Sequence, residues 1–530
     1  MEKNEGKTFD TKADTRESES EENVGLKPHG EIVGIEVDDP DAGLSDEERA
    51  AIDKKLVRKL DRRLIPWLSF LYLLSFLDRS NIGNAKIDGL QDDLRMTNSQ
   101  YNATLTIFFV SYSLLEPLTN VLLKRFRPSV FIPSIMIAWG LCLTFMGFVR
   151  NFAGLMVARW FLGVAEAGLF PGVGYLLSCW YKRSEFGIRM AVFFSAAAIA
   201  GSFGGLLAAA IAQMRGVGGR PGWAWIFILE GLATVVIGVV SFWVVEDFPD
   251  QATFLSEDDR KRVIRRLASD KQSSAGLEKF RMEYFWASVK DWKTYTSAII
   301  YMGCDGSLYA FSLFVPTIIN ELVRYLRLFP INFECTFNTT RLGFSSTQAQ
   351  LLSVPPYAVA AVLTITVGYI ADRTRQRGIC NMVVSLFGIA GFSMLLGSQT
   401  PAVKYIGTFL GAMGIYPAIS NTISWASNNT EGVYKRGVTL GFVIGWGNLQ
   451  GCVTSNIYRG DDKPEFYPGH GTVLGYLLLF QLGGSIAQYV LLRMENRRRL
   501  RGERDYWVAG LDEKQVEMRG DMRPDFIYTL

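Results

Sequence analysis

Several charged side chains stand inside long apolar runs, where solvation cannot explain them: Asp78, Arg79, Glu116, Arg159, Glu166, Glu230 and Asp305. An ionised group at a bilayer centre costs about 2.5–3.5 kcal/mol on insertion scales, so charges kept there are candidates for function. Arg79 offers a planar fork that fits a carboxylate and stays charged when buried, which makes it the expected contact for an anionic substrate. Glu166 lies among Val164, Ala165, Ala167, Leu169 and Phe170. Lost hydration there favours the neutral acid, so Glu166 is the expected proton carrier. Asp78 is the second candidate, although its neighbour Arg79 favours the ionised carboxylate. The chain has only two histidines, His29 and His470, so proton traffic through the apolar runs falls to carboxylates. Arg159 precedes Glu166 by two helical turns on the same face and reads as a coupling or gating charge, or as a structural partner. Glu116 precedes Pro117 and marks a helix distortion, while Glu230 in Trp225-Ile226-Phe227-Ile228-Leu229-Glu230-Gly231 reads as structural. Tyr72, Tyr309 and Trp446 are able to stack on an aromatic ring or simply to pack. Asn421, Ser195 and Ser202 add neutral polar groups, and a serine in a helix seam is ordinary.

These residues need helices to hold them. A span takes about 20 mostly apolar residues. Runs of that kind fall at 64–83, 102–123, 130–149, 152–178, 189–214, 223–245, 295–319, 350–371, 380–399, 403–425, 437–457 and 470–492. The expected fold is therefore an all-α membrane protein with twelve transmembrane helices. Although 20% of the 530 residues are charged, they cluster in 1–63 and 246–293, a block pattern unlike that of a soluble domain. Lys and Arg collect at 124–127, 182–183, 256–293, 373–377, 435–436 and 493–499. The positive-inside rule puts these segments and both termini in the cytoplasm.

The chain then divides into a disordered tail (1–55), a six-helix bundle (56–245), a middle loop with an amphipathic helix (246–293), a second six-helix bundle (294–492) and a cytoplasmic tail (493–530). An internal repeat supports the division. Gly168-Leu169-Phe170-Pro171-Gly172, Trp180 and Arg189 recur as Gly414-Ile415-Tyr416-Pro417-Ala418, Trp425 and Arg436. Parallel halves of this kind mark one large class of transporter. Asp305 occupies the repeat position of Asp78 and is expected to face the central cavity. The repeat offset jumps between the seventh and eighth spans, across residues 323–341. That segment reads as an insertion from a retained intron, or as a genuine extended outer loop.

Other functions are excluded by what is missing. The 55 basic and 52 acidic side chains are too balanced for a nucleic-acid partner. Six scattered cysteines show no metal or disulfide spacing. No nucleophile–His pair, phosphate loop or metal cluster suggests an enzyme, and no cofactor is expected beyond the proton gradient.

Leu77-Asp78-Arg79-Ser80-Asn81-Ile82-Gly83-Asn84-Ala85 and Arg159-Trp160-Phe161-Leu162-Gly163-Val164-Ala165-Glu166-Ala167-Gly168 resemble the first- and fourth-helix signatures of the anion:cation symporter family. That family belongs to the major facilitator superfamily, and the resemblance is strongest to its fungal allantoate permease branch. The C-terminal Arg519–Leu530 segment resembles nicotinate-permease-like members, and the likeness spans about residues 56–530. Gly368-Tyr369-Ile370-Ala371-Asp372-Arg373 matches the superfamily's GxxxDR loop, which implies gating charges at Asp372 and Arg373; the first-half counterpart, Asn120 to Arg127, is degenerate. The resemblance also implies two pseudo-repeated six-helix halves, substrate contact at Asn448, and H⁺ coupling through Glu166 and Asp78.

The expected protein is a monomeric plasma-membrane importer of a small organic anion, driven by protons through alternating access. Nicotinate is favoured by resemblance alone, with allantoate, pantothenate and biotin as other candidates. A non-transporting nutrient sensor and an efflux transporter are the rival readings.

Overall fold

The structure, a computed structural model, describes residues 40–41, 43–269, 282–328, 345–459, 462, 465–512, 515–516 and 519–530. Each of the twelve expected runs falls on a helix. These are α1 (Asp46–Ile87), α2 (Asn98–Arg125), α3 (Pro128–Met146), α4 (Phe152–Ser178), α5 (Arg183–Ala212), α6 (Gly222–Val244), α7 (Trp292–Leu328), α8 (Ser345–Thr374), α9 (Arg377–Gly397), α10 (Pro401–Asn428), α11 (Val433–Asn448) and α12 (Tyr467–Leu500). Among the described residues nine helices are long and apolar enough to cross a membrane. The other three are α1, α2 and α11. Asp78 and Arg79 dilute the apolar part of α1 and α11 has only 16 residues, whereas the apolar run of α2 includes residues outside the described set.

Local sequence explains several boundaries. Ser45 and Glu48 form a reciprocal capping box that starts α1, and Thr97 and Gln100 do the same for α2. Asn151 caps α4, while Pro128 and Pro401 open α3 and α10, where a missing N–H costs nothing. α11 stops at Asn448 and a separate turn, Gly451–Thr454, follows, so the expected run 437–457 is a helix and a turn rather than one span.

Two sequence boundaries need correction. The tail expected over 1–55 is helical in its last part, because capped α1 already begins at Asp46. That extension is pinned by charge: Arg265 bonds both Asp41 and Asp53, Lys59 bonds Asp259, and Arg63 bonds Glu246. The amphipathic stretch of the middle segment forms the helix Glu257–Ser269, with Val263 and Leu267 buried beneath its charges. The second is the boundary at 493, since α12 runs on to Leu500. Phe526 and Tyr528 are buried, and the last residues of 493–530 are tied into the bundle. Of the suspected insertion, residues 323–328 continue α7, whereas 329–341 and the Asn338-Thr339-Thr340 triplet lie outside the described residues.

The seam that holds the site runs between α1, α2 and α5 on one side and α7, α8, α10 and α11 on the other. Both of its ends are tied. At one, the Ile188 N–H on α5 donates to Asp372 Oδ2 on α8 at 2.6 Å. At the other, the Thr106 and Ser455 hydroxyls share a 3.0 Å hydrogen bond, and Asn456 Nδ2 donates to Thr106 Oγ1 at 2.9 Å.

Candidate functional site

Arg79 is the hub of the site. Its Nη2 donates to Glu166 Oε1 at 2.7 Å, and its Nε reaches the same oxygen at 3.2 Å. Ser75, one turn earlier on α1, also donates to Glu166 Oε1, at 2.6 Å. On the other side Arg79 Nη1 donates to Tyr309 Oη of α7 at 2.6 Å. The chain continues from there: Tyr309 Oη donates to Asn448 Oδ1 at 2.5 Å, and Asn448 Nδ2 donates to Glu116 Oε2 at 2.8 Å. Helices α4, α1, α7, α11 and α2 are thus joined by one buried polar chain. The Arg79 guanidinium also lies over the rings of Tyr112 and Phe108, 4.7 and 5.4 Å from their centres. Contacts of this kind stabilise a desolvated guanidinium.

Arg159 is drawn to the same place. It is 2% exposed and sits 5.1 Å from the Phe108 ring centre, so two guanidinium groups share one aromatic ring. Its Nε donates to the Thr104 carbonyl at 3.4 Å, and its Nη1 has no hydrogen-bond partner among the described residues. Asp305 is also 2% exposed, and its Oδ2 is unpartnered among the described residues. Asp305 and Tyr309 are four residues apart on α7, which puts them on one helix face. Glycines make this packing feasible. A Cβ at Gly163 on α4 would collide with Ser111 Oγ of α2, and one at Gly447 on α11 would collide with the Tyr301 ring of α7.

The expected site residues divide clearly. Arg79, Glu166, Tyr309, Asn448, Arg159 and Asp305 converge. Asp78 does not join them, because it points to the far side of α1. Its Oδ2 accepts from Trp139 Nε1 at 2.9 Å and from Thr234 Oγ1 at 2.8 Å. Adjacent helical residues differ by about 100° around the axis, so being next to Arg79 in sequence did not place the carboxylate against the guanidinium. Trp446 also departs from expectation. It is 45% exposed and stacks on Phe442, because two residues of helix turn it away from Asn448. Asp372 bonds Arg377 as well as Ile188, whereas Arg373 points outward to the Tyr369 hydroxyl. Glu116, read from sequence as a helix distortion, turns out to be a member of the site, as do Ser75, Phe108 and Tyr112. An acid in an apolar run was the available signal for Glu116; nothing local marked the others.

A buried ion pair is thus reached by groups from both sides of a helical seam. The model of the Major Facilitator Superfamily matches residues 68–455, and the chain belongs to that superfamily. It is therefore an integral membrane transporter and not an enzyme. It is 34% identical over 480 residues to an uncharacterized transporter of Schizosaccharomyces pombe, covering 90% of this chain and 93% of that one. It is 31% identical to the high-affinity nicotinic acid transporter of Saccharomyces cerevisiae, covering 84% and 79% of the two chains. Among solved structures, a bacterial homologue of the human lysosomal transporter Spinster, inward-facing and unoccupied, superimposes with a TM-score of 0.53 at 14% identity, covering 85% of this chain and 96% of that one. That likeness speaks to the fold alone.

Proposed function

We propose that this transporter imports a small organic anion together with protons, as a member of the anion:cation symporter family in its allantoate permease branch. The observation that carries the reading is the buried Arg79–Glu166 pair, whose guanidinium is also held by Tyr309 from across the seam. In a water-poor site Glu166 competes with any incoming carboxylate for Arg79. Protonating Glu166 removes that competitor, so the anion and the proton enter together. Asp78, held by Trp139 and Thr234 away from the guanidinium, takes a separate proton. Two protons per monovalent anion move one net positive charge inward, a gain of about 2.3 kcal/mol per 100 mV of inside-negative potential. Release of Asp372 from Ile188 at one end of the seam, and of Thr106 from Ser455 at the other, supplies the two gates of alternating access. The similarity to a nicotinic acid transporter favours a monocarboxylate as cargo, and import from outside implies the plasma membrane as location.

The test is uptake of labelled nicotinate, allantoate, pantothenate and biotin by a transport-null host producing the full chain, at several external pH values. At least one acid should accumulate faster as the outside is acidified. Glu166→Gln should retain exchange but lose that acceleration. Acid-driven accumulation that persists unchanged in Glu166→Gln would sink the coupling assignment.

A further inference from the structure

The outward face of α12 changes character without changing side. Ile486 and Val490 are exposed apolar residues that face lipid in a membrane helix. Arg493, Arg497 and Arg501, all exposed, continue the same line at steps of three or four residues, the spacing that keeps side chains on one helix face. Glu495 does not neutralise this row. It is turned to the opposite side of the helix, where Arg504 holds it at 2.7 Å and Arg499 at 3.5 Å. Arg493 and Arg497 have no ion pair among the described residues. Arg501 has a loose one, 3.7 Å from Glu503, with both side chains exposed.

Helix α7 fixes the depth of these arginines. It runs antiparallel to α12: Gly303 packs on Gln481, and the Ser297 hydroxyl donates to Gln488 Oε1 at 3.2 Å. Trp292 precedes Ser297 by five residues and Arg493 follows Gln488 by five, so both lie about 7.5 Å beyond that bond, at one level. Trp292 and Tyr295 are 39% and 44% exposed, and the short helix Met282–Val289 before them exposes Phe285 and Trp286. Exposed tryptophan and tyrosine at the end of an apolar span mark the layer of lipid headgroups. Arg493 therefore enters that layer. Arg497 and Arg501, one and two turns further, reach back toward it, because helical side chains lean toward the helix N-terminus and arginine has a long apolar stem.

We propose that the row Arg493–Arg497–Arg501 is a binding site for anionic phospholipid headgroups, with the lipid chains lying along Ile486 and Val490. On the positive-inside rule the leaflet concerned is the cytoplasmic one, which carries the acidic lipids. Each exposed arginine at such a surface favours the anionic lipid about fivefold, so three in a row discriminate strongly against a neutral headgroup. The site also bears on the fold. Arg499, on the opposite face of the same turns, gathers the carbonyls of Asp521, Arg523 and Phe526. A lipid held on the outside of α12 steadies the helix end that holds this segment on the inside.

The test titrates the full-length protein, purified in detergent, with phosphatidylserine and with phosphatidylcholine, and counts bound lipids by native mass spectrometry. Phosphatidylserine should bind at least about tenfold more tightly. Arg493→Gln, Arg497→Gln and Arg501→Gln together should bring the two lipids to near equality. Removing as much charge elsewhere, by Lys54→Gln, Lys55→Gln and Arg58→Gln on the exposed side of α1, should leave the preference intact. In vesicles of equal parts phosphatidylserine and phosphatidylcholine the unaltered protein should melt later than in phosphatidylcholine alone, and the variant at 493, 497 and 501 should not respond. Should that variant melt early in phosphatidylcholine, Arg497→Gln alone asks the same question, with an expected loss of about fivefold. Equal binding of the two lipids by the unaltered protein overturns the proposal. So does a preference that survives the three substitutions on α12, or one that falls equally in the α1 variant, which would show attraction to net charge instead of to this row.

Discussion

Arg79 is satisfied from both sides of the seam at once, and that makes its individual bonds separable by mutation. Tyr309 gives the clearest case, because its hydroxyl accepts from Arg79 and donates to Asn448. Tyr309→Phe keeps the ring packed against Phe109, 4.5 Å away between centres, and removes only the two hydrogen bonds. The bond to charged Arg79 is worth about 1.5–3 kcal/mol and the neutral one to Asn448 about 0.5–1.5, so the substitution should lower the melting temperature measurably and weaken closure around the cargo. The expected outcome in uptake is a raised KM with a smaller change in the maximal rate. A Tyr309→Phe protein with unaltered melting temperature and KM would mean that the hydroxyl does not hold the two sides together. Arg79→Lys asks a different question. A lysine keeps the charge but cannot present two parallel donors, so carboxylate uptake should be lost although the ion pair with Glu166 can re-form. Retention of uptake in that variant would show that charge alone suffices.

At the scale of a helix, periodicity decides which side chains reach the site, and this is where sequence reading succeeds and then runs out. The charges inside apolar runs located Arg79, Glu166, Arg159 and Asp305, because a bilayer penalises every such charge wherever its helix turns. Facing was harder to read. Asp78 and Arg79 are adjacent yet point to different neighbours, and Trp446 and Asn448 lie two positions apart on opposite sides of α11. A helix that is apolar all round gives no polar face from which to fix its rotation, so the sequence could nominate Trp446 but not exclude it. Phe108 and Tyr112 were invisible for the same reason, being two aromatics among many. The facing seen in the structure makes a sharp contrast. Asn448→Ala, which strips a partner from both Tyr309 and Glu116, should cost about 1–3 kcal/mol in cargo binding. Trp446→Ala should leave affinity unchanged, since the ring is half-exposed on the outer face. Binding titrations that reverse this order would mean that α11 is rotated. Gly163 sets a second constraint at this scale. Gly163→Ala forces α4 away from Ser111 and the Phe108 carbonyl on α2, an overpacking expected to cost about 1–3 kcal/mol. It should lower the melting temperature and, by moving Phe108, disturb both guanidinium groups together.

Across the whole molecule, the end of the chain ties helices that are distant in sequence. The Arg377 N–H donates to the Leu530 carbonyl at 2.6 Å, and the Trp425 indole and Asn429 both donate to the Thr529 carbonyl. Arg499 gathers the carbonyls of Asp521, Arg523 and Phe526, and the Arg183 guanidinium of α5 lies 4.8 Å from the Phe526 ring centre. The segment therefore touches α5, α9, α10 and α12, helices that come from both sides of the seam. Its electrostatic anchor is Asp521, whose carboxylate bonds Lys293 at 2.7 Å and Lys435 at 2.7 Å. Burial alone would raise the Asp521 carboxyl, but the two ammonium groups outweigh it and hold the group down at about 2. A carboxyl held below its unfolded value stabilises the docked segment at pH above about 4, and that stabilisation is lost as pH falls through about 2. Docking should consequently be insensitive to pH throughout the range in which a proton-driven carrier works, and the pH response of uptake must arise from the carboxylates of the seam. Asp521→Asn is the decisive substitution. It leaves Lys293 and Lys435 buried beside Asp291 alone, and breaking a buried pair in this way costs about 3–5 kcal/mol. The expected result is a protein that melts earlier, with the segment 519–530 open to an added endoprotease at neutral pH, while the pH dependence of whatever uptake remains is unchanged. A shifted pH dependence in Asp521→Asn would place part of the proton coupling at this anchor instead of at Glu166.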